Sequence, residues 1–136
     1  MVLIDTPVWL LALRRRVVDL SGSEQLLTQV LHDVIQQRRA LLLGSVRQEI
    51  LSGIREESQF RRIRDYLRAF PNVGLDSVDY EEAARISSDC RRTGIATSAI
   101  DMLICAVCLR NDWDVFTTDR DFERYHHVAR IRLLKV

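Results

Sequence analysis

The chain has 136 residues, 47% of them hydrophobic and 29% charged, and its 20 Lys and Arg against 19 Asp and Glu leave a net charge of +1. That length suits a single domain over residues 1–136 with a sizeable core, and no apolar run approaches the ~20 residues of a membrane helix. The near-zero charge neither demands nor excludes a nucleic-acid partner, although nearly all the cations are arginines, whose forked guanidinium matches phosphate geometry.

Val2-Leu3-Ile4 reads as a short buried strand, and Asp5 interrupts it too early for the apolar core of a secretory leader, so a cytoplasmic location is expected. Thr6-Pro7 predicts a helix start, with Thr6 as cap and Pro7 at the first helical position, carrying Trp9, Leu10 and Leu13 up to Arg14-Arg15-Arg16. Ser21 and Glu24 form a capping box ahead of a second helix with Leu27, Val30, Leu31 and Val34 at helical spacing. Ala40 to Leu43 predicts a second strand. Gly44 ends it, and a helix capped at Ser45 with Gln48 three residues later follows, closing near Gly53.

From about Glu57 to Phe70 the chain is amphipathic, with Phe60, Ile63, Tyr66, Leu67 and Phe70 on one side and Arg61, Arg62, Asp65 and Arg68 on the other; Pro71 stops it. Asn72 to Leu75 is a weak strand, Asp79 to Arg92 a helix with Gly94 just past its end, and Ser98 opens an apolar helix through Leu109. Asp114 to Thr117 is a strand, Asp119 to Tyr125 a turn and short helix, and Arg130 to Val136 a last strand. Strands alternating with helices predict an α/β fold with a mostly parallel sheet covered on both faces. Cys90, Cys105 and Cys108 are an odd number, expected as free thiols of a reducing compartment.

Four acids stand out against this frame. Asp5 and Asp119 each follow a strand and should lie at the carboxyl edge of the sheet, where ligands bind in such folds. Glu49, with Val46 and Ile50 for neighbours, falls on the expected inward face of the helix after the second strand, and Asp101 begins a helix apolar nearly all round. Singly, each has an ordinary explanation as a turn or capping residue, Asp101 as the acidic partner of Ser98. Together they are harder to explain, because two carboxylates ~4 Å apart repel by about 1 to 4 kcal/mol between water and a protein surface. A hard divalent cation resolves that repulsion, and Mg²⁺ or Mn²⁺ on carboxylates is suited to hydrolysing a phosphodiester.

In four stretches the chain resembles the PIN-domain ribonucleases, and is most similar to the VapC-type toxins of bacterial toxin–antitoxin pairs: Leu3-Ile4-Asp5-Thr6 with Val8-Trp9, Gln48 to Gly53, Ala99 to Ala106, and Phe116 to Phe122. The resemblance implies a three-layer α/β/α fold, usually a homodimer. It implies that Asp5, Glu49, Asp101 and Asp119 bind Mg²⁺ or Mn²⁺, with Asp121 as an additional acid and Thr6 and Thr117 as hydroxyls beside them. It further implies RNA as substrate, products with a 5′-phosphate and a 3′-hydroxyl, and a cognate antitoxin as protein partner. Pro7 stands where many relatives have Ser, which bears on substrate details and leaves the acids in place.

Other motifs carry less. Cys105 and Cys108 share a face of an apolar helix and lack a second pair, so packing explains them. His126 and His127 read as surface residues. Arg61, Arg62 and Arg68, with Arg14 to Arg16, form either a solvated face or contacts to RNA phosphates or an acidic partner, and the antitoxin is expected either in the acidic groove or against the amphipathic helix before Pro71, where Phe60 and Tyr66 mark the face. A non-catalytic RNA-binding or interaction module of the same fold is the alternative. A phosphoacceptor receiver fits poorly, since Asp5-Thr6-Pro7 lacks an acid pair and Lys135 is the only late lysine.

Overall fold

A computed structural model describes residues 1–136. Five strands, β1 (Val2–Ile4), β2 (Ala40–Leu43), β3 (Asn72–Val73), β4 (Asp114–Phe116) and β5 (Arg132–Leu133), form one sheet in the order β3-β2-β1-β4-β5. Every neighbouring pair is parallel, with Leu3 opposite both Leu41 and Val115. Parallel strands need covered faces, and seven helices supply the cover. α1 (Thr6–Arg14), α2 (Gly22–Gln36), α3 (Gly44–Ser52) and α4 (Glu57–Leu67) pack on one another in one layer, and α5 (Ser77–Arg92), α6 (Ala99–Asn111) and α7 (Asp121–Ala129) make the other. No helix is long and apolar enough to cross a membrane.

The core is one cluster of 28 buried residues. β1 is wholly buried, and so is α6 along Met102 and Ile104 to Cys108, which explains why α6 is apolar nearly all round: it lies between the sheet and α5. All three cysteines are free and buried. Edge-on ring contacts, Trp9 with Phe70 and Phe122 with Tyr125, each with centroids 5.1 Å apart, fill the space between helices.

Local details depart from the sequence expectations where side-chain caps are concerned. Asp5, not Thr6, caps α1, placing Pro7 at its second position. The predicted cap at Ser45 does not form: α3 starts at Gly44 straight from β2, and the Ser45 hydroxyl is unpartnered. α5 begins at Ser77, two residues before the expected start, capped by Asp76 in a reciprocal box with Asp79. The last strand shrinks to Arg132–Leu133, and the short helix expected after Asp119 runs to Ala129. On α4, Ile63 and Leu67 are buried but Tyr66 is exposed, because the buried stripe is narrower than the apolar side of the helix. Arg47 of α3 clamps β3 against α4, donating to Asn72 Oδ1 and to the carbonyls of Leu67 and Phe70. Gly94, with φ of +79°, makes the left-handed turn after α5.

An ion pair, buried on its Asp79 side, joins α5 to α6. Asp79, only 3% exposed, accepts from Arg110 Nη1 at 2.6 Å and from the Asp76 backbone N–H at 2.9 Å. Removing the carboxylate opens the cap and leaves the exposed Arg110 with Asp76 as its one partner, so Asp79→Ala should cost about 1 kcal/mol in urea unfolding.

Candidate active site

The strand order reverses direction at β1: β2 and β3 lie on one side of it, β4 and β5 on the other. In parallel sheets that reversal opens a crevice at the carboxyl ends of the two central strands, here β1 and β4. Asp5 leaves β1 at this point, its backbone N–H bonded to the Phe116 carbonyl of β4 at 2.9 Å. Its carboxylate is 5% exposed, with Oδ1 accepting from the Thr6 N–H at 2.8 Å and Oδ2 from the Thr117 hydroxyl at 2.7 Å.

Thr117 carries the arrangement outward. Its Oγ accepts from the Asp119 N–H at 3.0 Å, and Asp119 Oδ1 accepts from the Asp121 N–H at 2.9 Å as α7 begins. One turn further along α7, the buried Tyr125 donates its hydroxyl to Asp101 Oδ2 at 3.0 Å. Asp101 sits in the first turn of α6, its own N–H bonded to Ser98 Oγ at 3.1 Å. Three elements that are distant in sequence therefore present carboxylates to one crevice: β1, the loop after β4, and the start of α6.

Electrostatics ties the acids together. Burial raises the Asp5 carboxyl from 3.8 to about 6 against the lowering effect of the Thr117 and Thr6 hydrogen bonds, and the charges of Asp101 and Glu49 add to the rise. Burial likewise raises Asp101, offset by Tyr125, with Asp119 and Asp121 pushing the same way. Tyr125 is itself held neutral by burial and by the Asp101 charge. Arg and Lys do not neutralise this group: the one ion pair touching it is an exposed contact at 3.9 Å between Asp121 and Arg124, weak by its distance and hydration.

Glu49 corrects one expectation. It is exposed rather than inward-facing, since Val46 and Ile50 occupy the buried stripe of α3 and Glu49 falls a sixth of a turn or more away, at the crevice rim. Asp101 is half-buried, and its side chain turns to Tyr125 while Ser98 caps the helix. The expected arginines lie apart from the acids. Arg14 and Arg15 end a nine-residue helix, roughly 13 Å along it from its cap Asp5. There, Arg14 Nη1 is 3.2 Å from where a Cβ would stand on Gly53 and Arg15 pairs with Glu24. On α4, Arg61 pairs with Glu57 and Arg68 with Asp65, while Arg62 is exposed and unpaired.

Tyr125 was not anticipated from sequence. Its signal was its spacing, four residues after Asp121 on one helix face, but only the packing of α7 beside α6 gives it Asp101 as partner.

The donor set fits a divalent cation. Buried and half-buried carboxylates without cations of their own seek a counter-charge, and the buried Thr6 hydroxyl next to Asp5 has no hydrogen-bond partner. No three His, Cys, Asp or Glu side chains stand close enough together to hold a metal ion between them as placed. That openness suits Mg²⁺, which is held through one or two carboxylates and keeps several waters.

Known structures share this fold. FitAcB from Neisseria gonorrhoeae superposes with a TM-score of 0.76 at 18% identity, covering 99% of this chain and 97% of that one. FitAB bound to an IR36 DNA fragment gives 0.74 at 18% identity, over 98% and 94%. VapBC2 from Rickettsia felis, bound to a DNA fragment from their promoter, gives 0.73 at 12% identity, over 98% of each chain. No curated protein sequence matches the chain. A family model does: that of the PIN domain aligns with residues 2–128, a stretch that holds every acid of the crevice, and the chain belongs to the PIN domain family.

Proposed function

We propose that the protein is a divalent-metal-dependent endoribonuclease acting as the toxin of a toxin–antitoxin pair. The observation that carries the catalytic half is the crevice itself: buried Asp5 and half-buried Asp101, with Asp119, Asp121 and Glu49 around them, are drawn together with no basic side chain bonded to Asp5, Asp101 or Asp119. Such a cost in self-repulsion is sustained where a cation is to be bound.

Bound Mg²⁺ or Mn²⁺ supplies an acidified water and charge stabilisation at phosphorus. The chain's residues arrange the rest. Thr117 and the Thr6 N–H fix both oxygens of Asp5, Tyr125 fixes one oxygen of Asp101, and the Thr117 Oγ holds the Asp119 backbone. With those oxygens engaged, the remaining lone pairs point at a limited set of positions, which orients substrate and water before binding. The toxin half draws support from the sequence resemblance to VapC-type proteins and the fold shared with VapBC2. An antitoxin partner, a homodimer and a cytoplasmic location accompany that reading.

The purified chain should cleave RNA with Mg²⁺ or Mn²⁺, and Asp101→Asn should not; equal activity of the two sinks the assignment. Calorimetry separates the reading from a non-catalytic module, which would take up no Mg²⁺. Tyr125→Phe keeps the ring packing and loses the bond to Asp101 together with a longer one, at 3.5 Å, to the Ala96 carbonyl. It should lower kcat about tenfold, the usual effect of removing an orienting partner, with a stability change of about 1 kcal/mol in thermal melts.

A further inference from the structure

Next to the acids lies a cavity of about 410 Å³, walled by the loop after β4, by α7 and by the segment leaving β5. Thr117 and Asp119 belong both to its wall and to the hydrogen-bonded string that begins at Asp5, so cavity and crevice adjoin. Arg120 and Lys135 also line it, and neither takes part in an ion pair or a side-chain hydrogen bond. This separates them from Arg15, Arg61 and Arg68, whose guanidinium groups are engaged with Glu24, Glu57 and Asp65.

The cavity is also held in shape. Leu134 N–H bonds to the Val115 carbonyl at 2.8 Å, extending the pairing of β5 with β4 and setting Lys135 at the sheet's carboxyl edge. His126 of α7 shares its Nδ1 with the Ile131 carbonyl, which leaves Nε2 as the ring nitrogen open to a ligand. The wall carries two cations, Arg120 and Lys135, against two carboxylates, Asp119 and Glu123; with Asp119 committed to the metal in the nuclease reading, Glu123 alone is left against the pair. An acidic crevice repels a polyanion until a cation is bound. Unpaired cations immediately beside it supply the complementary charge for the next phosphate along the strand.

We propose that this cavity is the subsite for the RNA phosphate adjoining the scissile one, with Arg120 and Lys135 as its anchoring cations; the proposal rests on the nuclease reading above. Contacts of this type set affinity and register without reading bases.

Lys135 is the only lysine in the chain, which makes it separately addressable. Arg120→Gln and Lys135→Gln should each raise KM for RNA about fivefold and lower the salt slope of log KM by about one, with kcat within about twofold. Arg85→Gln, a charge-matched change on the exposed face of α5, should leave all three unchanged. A second readout needs no turnover: in Asp101→Asn with Mg²⁺, saturating RNA should slow acetylation of Lys135 several-fold while the Met1 amine reacts at its free rate. If the parent chain cleaves RNA and the two variants match Arg85→Gln in KM and salt slope, the subsite is overturned. Unprotected Lys135 at saturating RNA overturns it as well, and a parent chain that cleaves no RNA removes the nuclease reading and this subsite with it.

Discussion

Asp5→Asn should lower RNA cleavage at least ~100-fold and at the same time make the metal-free protein more stable at pH 7.5. The two effects have one cause. Asp5 is buried, receives hydrogen bonds from Thr117 and the Thr6 N–H, and still titrates near pH 6 because burial outweighs them and the Asp101 and Glu49 charges oppose its ionisation. An amide of the same shape accepts the Thr6 bond without carrying a charge. It removes a penalty on the order of 3 kcal/mol at neutral pH, and it also removes the anionic oxygens on which a cation depends. Cleavage assays and metal-free thermal melts on the same preparation check both halves. Lost cleavage with a lowered Tm would assign the effect to misfolding and count against the reading.

Chelation with EDTA should abolish cleavage, and Mg²⁺ should restore it more effectively the higher the pH between 5 and 7. The unfolded Asp5 carboxyl titrates near 3.8 and the folded one near 6, so between those values the folded chain binds more protons than the unfolded one. This group's contribution to metal-free stability is therefore fully present below about pH 4 and lost as pH rises through 6. Metal and proton compete for the same oxygens, which gives Mg²⁺ affinity a rise of up to about tenfold per pH unit below 6 and a plateau above it. At a hundredfold excess over Kd the ion should then stabilise the fold by about 3 kcal/mol at pH 7.5, and by much less at pH 5. Thermal shift with and without Mg²⁺ at the two pH values measures this. Equal shifts would show that Asp5 does not hold the ion.

Much of the architecture was legible because each element is marked locally. Val2 to Ile4 is uniformly apolar and wholly buried, the Ser21–Glu24 box starts α2 as its spacing requires, and Pro71 ends the region of α4. The expectations that failed depend on competition among neighbours. Ser45 looks like a cap, but β2 runs directly into α3 and leaves no room for one. Glu49 looks inward because its neighbours do, yet on a nine-residue helix the buried stripe takes Val46 and Ile50 and turns Glu49 to the rim. Tyr66 fails in the same way on α4.

The sequence by itself determined the class of fold and nominated the acids as candidates, because hydrophobic periodicity and a charge placed among apolar residues are local properties of the chain. Tertiary structure decided which acids meet. Asp5 and Thr117 are 112 positions apart and bond only because β1 and β4 are neighbours at the reversal of strand order. Tyr125 reaches Asp101 only because α7 lies beside α6. The same packing left Arg14 and Arg15 at the far end of α1 and brought Lys135 beside Asp119 and its sequence neighbour Arg120. Local pattern sets how a segment buries its apolar face, whereas the distance between two charges depends on how strands are ordered in the sheet, a property no single segment contains.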